Sequence, residues 1–117
     1  NDKLMNRIMK VINGNLSNPN LTVEMIANEV GTSRVHLNRK LKELTNQTAR
    51  EFIKNCRLKQ AAELLSQKKQ NITEIAELTG FNNPNNFSTA FKELFGVSPS
   101  AYKEYLDTKK ENEETQS

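Results

Sequence analysis

The sequence predicts an all-α fold of about seven helices, in which two helix-turn-helix subdomains are joined by a long central helix. Two observations predict it. Apolar residues recur at three- and four-residue steps from Leu4 to Leu106, the spacing that lines one face of a helix. And a stretch at residues 26–44, IANEVGTSRVHLNRKLKEL, returns in altered form from Ile75 onward.

Taken in order, Leu4, Met5, Ile8, Met9, Val11 and Ile12 place a first helix over 3–13, which Asn13-Gly14 ends. Residues 15–20 read as a polar loop containing Pro19. Thr22 is a suitable N-cap for a helix over 23–30, and Gly31 suits a left-handed stop. Ser33 then caps a second helix that fades near Thr45-Asn46. Ile26, Ala27 and Val30 face inward from the first of this pair, and Leu37, Leu41 and Leu44 from the second. Arg34, Asn38, Arg39, Lys40 and Lys42 are left on the outer face. Such a pair, joined at a glycine turn, outlines a helix-turn-helix.

Thr48 and Glu51 form a capping-box pair, so a fresh helix begins at 49. Phe52, Ile53, Cys56, Ala61, Leu64 and Leu65 give it a buried stripe, with Arg50, Lys54, Arg57 and Lys59 off that stripe. After a polar break at 67–70, Asn71 and Glu74 repeat the capping logic. Ile75-Ala76 and Gly80 follow Ile26-Ala27 and Gly31 by 49 positions, while Phe87 and Phe91 follow Leu37 and Leu41 by 50. One extra residue therefore lies in the second turn. Asn83 is the expected N-cap there, with Pro84 at the first helical position, where its missing N–H costs nothing. Phe81 should wedge against the second core. Ser98-Pro99 opens a last helix to about Leu106. The expected organisation is a first subdomain at 1–47, a linker helix at 48–66, a second subdomain at 67–106 and a disordered tail at 107–117.

Composition narrows the function. Apolar residues make up 35% of the chain and the mean hydropathy is −0.75, so the core is economical and the surface polar. The net charge of +3 understates the basic character of one region: residues 33–59 hold eight Lys or Arg against Glu43 and Glu51, a local +6. Such a block favours a polyanion. By contrast, residues 61–102 carry three Lys against four Glu. One His, one Cys, no glycine-rich phosphate loop and no clustered carboxylates argue against an enzyme, and no cofactor or metal is expected. No apolar run is long enough to cross a membrane. A joining helix of about 17 residues spans about 25 Å, so two polar helices could lie near one turn of DNA apart, about 34 Å. The rival reading is a basic face that docks an acidic protein.

The sequence resembles the AraC/XylS family of bacterial transcription regulators. The likeness rests on IANEVG at 26–31, CRLKQAAELL at 56–65 and ITEIAELTGFNNPNNFSTAFKELFGVSPSAY at 72–102. The wording of the second unit is most similar to output domains of hybrid two-component sensors. The resemblance implies a cytoplasmic domain that binds double-stranded DNA, with sensor or receiver domains upstream, RNA polymerase as a further partner and no membrane contact by this domain. The chain's start at Asn1 is consistent with a piece of a longer protein.

In that family the second helix of each unit reads bases. Carried over by position, Val35, Asn38 and Arg39 point into the groove from the first unit. Pro84, Asn85 and Thr89 take the corresponding places in the second, with Asn86 and Ser88 nearby. Expected base contacts are thus Val35, Asn38, Arg39, Asn85, Asn86 and Thr89; expected phosphate contacts are Ser33, Arg34, Lys40, Lys42, Asn83, Ser88 and Lys92. For Arg39 the choice lies between guanine, which it can grip bidentately, and a phosphate or surface ion pair. Asn38 suits adenine or a phosphate. Val35 could equally pack or touch a thymine methyl. His36 is read as solvated and Cys56 as a core filler. The sequence departs from the family at Thr89, where a basic residue is frequent, at Val35, where an aromatic can stand, and at Asn46, where Gly is usual.

Overall fold

The computed structural model describes the backbone of residues 3–116 and the side chains of residues 3–108. Seven helices are present among the described residues: α1 (Lys3–Gly14), α2 (Val23–Val30), α3 (Arg34–Thr45), α4 (Ala49–Gln67), α5 (Ile72–Leu78), α6 (Pro84–Phe95) and α7 (Pro99–Gln116). The all-α expectation is met.

Local chemistry sets the helix ends. Thr22 Oγ1 accepts from Met25 N at 3.2 Å and Ser33 Oγ from His36 N at 3.1 Å, each satisfying an orphan donor of a first turn. Asn71 and Glu74 make the full reciprocal capping box. Thr48 makes only half of one: its Oγ1 accepts from Glu51 N, while the Glu51 carboxylate turns to the same hydroxyl. Gly31 ends α2 at φ 75°, and Asn46 ends α3 at φ 59°. Asparagine is among the few residues that tolerate this left-handed conformation, so it can replace the family's usual glycine.

The interior divides into two apolar clusters. Ile8, Ile12, Leu16, Leu21, Ile26, Ala27, Val30, Leu37 and Leu41 pack with Ala49 and Ile53 of α4. Further along the same helix, Leu58, Ala61 and Leu65 pack with Ile75, Ala76, Phe87, Ala90 and Phe91. So α4 belongs half to each unit and is the rod that both are built on. The second cluster is aromatic: Phe81, Phe87, Phe91, Phe95 and Tyr102 form a chain of ring contacts, with centroids 4.5 Å apart at the Phe91–Phe95 pair. Phe81 is seated where the sequence predicts.

Four expectations need correction. Leu44 is 49% exposed, because the helix stripe turns away from the core by its last turn. Leu16, assigned to a polar loop, is buried together with Leu21; both anchor a connection whose pattern is too short to show periodicity. Arg57, placed on the exposed face of α4, is buried at 7% exposure. Finally, α7 continues ten residues past Leu106 to Gln116, since 107–116 contains no Gly or Pro and is rich in Lys, Glu and Gln, which favour helix. Residues 1, 2 and 117 of the expected first subdomain and tail lie outside the described residues.

Candidate nucleic-acid interface

The outer faces of α3 and α6 are built alike. Position by position over 34–46 and 84–96, burial matches at every pair except Lys40, half-buried, and Ala90, buried. Leu37 and Leu41 in the first helix and Phe87 and Phe91 in the second are completely buried, which aims the intervening residues outward. At the constant offset of 50, the counterparts of Val35, Asn38 and Arg39 are Asn85, Ser88 and Thr89. Pro84 instead matches Arg34, and it is exposed at the start of α6 as the first helical residue after its cap.

On α3, Val35 is 68% exposed. Arg39 is exposed and makes no hydrogen bond or ion pair among the described residues. Arg34 reaches back to Glu24 at 3.4 Å, with both side chains well exposed; such a pair is worth little in water and yields readily to a phosphate. Lys42 is exposed in the last turn, where its charge also complements the helix dipole. Lys40 is half-buried.

Asn38 is placed differently from the rest. It is half-buried, and its Oδ1 accepts from Ala49 N, the first helical N–H of α4, at 3.1 Å. The oxygen that a bidentate adenine contact needs is therefore engaged in tying the exposed helix to the rod. Nothing in the local sequence signals this, because the partner lies 11 residues away across a turn.

On α6, Asn83 Oδ1 caps the helix by accepting from Asn85 N at 2.8 Å and Asn86 N at 3.4 Å. Asn85, Asn86, Thr89 and Lys92 are exposed and Ser88 is half-buried. This face offers amides and hydroxyls, with Lys92 and Glu93 offsetting each other in charge.

Between the units runs a cleft of about 730 Å³, bordered by Arg34 of α3, by Thr48, Arg50 and Lys54 at the start of α4, and by Gly80 and Phe81 of the second turn. Arg50 and Lys54 are exposed and four residues apart, so they share one face of α4. Neither was among the expected contacts. Their signal was present in the basic block, but only the fold shows that this face opens beside α3.

Two polar helices, each laid over a buried apolar stripe and the first of them flanked by cations, define a DNA-binding helix-turn-helix protein. A family model described as a helix-turn-helix domain matches residues 26–105. The chain belongs to the AraC-type helix-turn-helix family, the DNA-binding domains of transcription regulators. It is 39% identical to Histidine kinase P4 of Formosa agariphila over 86% of its own length, but it spans only 7% of that kinase. The C-terminal domain of AraT, a response regulator from Geobacillus stearothermophilus, superposes with a TM-score of 0.80 at 34% identity, over 89% of this chain and 86% of that one. The DNA-binding domain of AdpA, solved in complex with a target DNA, superposes with a TM-score of 0.81 at 25% identity, over 93% of this chain and 96% of that one.

Proposed function

We propose that the domain binds double-stranded DNA sequence-specifically by placing α3 and α6 in successive major grooves on one face of the duplex. The observation that carries this reading is the matched burial of the two helices, which presents the same outward positions twice. Arg39 reads guanine, Val35 meets a thymine methyl, and Asn85, Asn86 and Thr89 read bases from α6. Asn38 holds α3 in place and contributes to recognition through that placement. Ser33, Arg34, Lys40, Lys42, Asn83, Ser88 and Lys92 hold phosphates, Ser33 through the N–H groups at the start of α3 and Asn83 through its side-chain amide N–H, because Pro84 has no N–H and those of Asn85 and Asn86 are taken by Asn83 Oδ1. Arg50 and Lys54 hold the phosphate backbone as it crosses the cleft. The first unit supplies most of the charge-driven affinity, and the second sets register.

Similarity to a histidine kinase and to a response regulator supports placing this domain at the output end of a two-component protein, in the cytoplasm where its DNA lies, with RNA polymerase as the partner that reads its position. Selection of bound duplexes from a random pool, followed by gel shift over a salt series, tests the core reading. Enrichment of two half-sites about one helical turn apart, with a steep negative salt slope, is the expected result. No duplex affinity at low salt would overturn it in favour of an acidic protein partner.

A further inference from the structure

The two apolar clusters meet on α4 between Ile53 and Leu58, and Arg57 stands at that junction. Its guanidinium is held by carbonyls from both units. Nη1 donates to Leu16 O and, at 2.9 Å, to Thr79 O; Nη2 donates to Asn18 O at 2.9 Å. Leu16 and Asn18 belong to the α1–α2 connection of the first unit, and Thr79 caps α5 in the second. No ion pair supports the charge among the described residues. A buried cation without a carboxylate partner is costly unless its donors are satisfied, and the planar fork of the guanidinium satisfies them only in one orientation.

Gly80 completes the arrangement. It adopts φ +84°, and a Cβ there would lie 1.5 Å from Arg57 Nη1 and 2.5 Å from Leu16 O. The turn of the second unit therefore closes directly onto the loop of the first, with the guanidinium filling the place a side chain would take.

We propose that Arg57 is the positioning residue that fixes the angle between the two recognition helices, so that the domain discriminates operators by the spacing of their half-sites. This rests on the reading that α3 and α6 engage DNA together. The units share no single apolar cluster, so α4 and this clamp set their relative rotation. One added base pair turns the second half-site by about 34° and moves it by about 3.4 Å. A locked domain cannot follow such a change, and an unlocked one can.

The test compares the 117-residue chain with Arg57→Lys and Arg57→Met, the former keeping the charge but not the fork. Residual dipolar couplings of the free protein report rigidity without DNA. The unaltered chain should fit one alignment tensor across both units, and the variants should need two. Anisotropy titrations then use the selected operator, versions with one base pair inserted or removed between half-sites, and a duplex with one half-site scrambled. A one-base-pair change should weaken the unaltered chain by at least about tenfold, and the variants by no more than about threefold, with affinity for the single half-site unchanged. Two tensors for the unaltered chain, or variants that keep one tensor and the original spacing ratio, would overturn the assignment. An unaltered chain with one tensor but no dependence on the second half-site would instead overturn the two-groove reading on which the proposal depends.

Discussion

Asn38 of the first recognition helix accepts a hydrogen bond from Ala49 N at 3.1 Å, which couples the exposed helix α3 to the start of the rod α4. Ala49 is completely buried, so its N–H has no ready exchange with water and depends on this acceptor. Asn38→Ala should lower stability by about 1 kcal/mol and weaken binding to all sequences alike. Thermal denaturation and competition binding check it. Loss of preference at a single adenine position, without loss of stability, would return Asn38 to the base-reading set.

Arg39 and Thr89 occupy equivalent outward positions with different chemistry. Arg39→Ala should cost about 1–3 kcal/mol of discrimination at one base position, and more total affinity than Thr89→Ala at matched salt. Equilibrium titrations of both variants against the selected operator and its single-base changes decide the order.

Lys42 is exposed at the end of α3. If it neutralises one phosphate, Lys42→Gln should reduce the slope of log K against log salt by about 0.9, with sequence preference retained. An unchanged slope would place Lys42 outside the interface.

Phe91 lies at the hub of the aromatic cluster, with ring centroids at 5.8 Å from Phe87, 4.5 Å from Phe95 and 5.6 Å from Tyr102. Phe91→Ala should cost about 3–5 kcal/mol by chemical denaturation. Its effect on DNA binding should disappear under conditions that keep the variant folded.

Burial pushes the Cys56 thiol above its ordinary pKa, with Lys59 opposing the shift in part. The folded state therefore disfavours the thiolate. Alkylation near neutral pH should be slower than for a free cysteine and should rise at higher pH than usual. Stability should fall as pH climbs above the ordinary thiol range, and Cys56→Ala should remove that component.

The amino-acid sequence by itself determined the seven helices, the repeat and the outward faces of α3 and α6, because periodicity and capping act over three or four residues and leave their mark locally. Asn83 and Pro84 announce α6 in the same way. Tertiary structure alone decided that Arg57 is buried, that Gly80 has no room for a side chain, that Asn38 faces the rod and that Arg50 and Lys54 border the cleft. Arg57 meets carbonyls 22 to 41 residues away. On a helix pattern it is one more cation, and only chain segments brought together by the packing of two separate cores turn it into the joint between them.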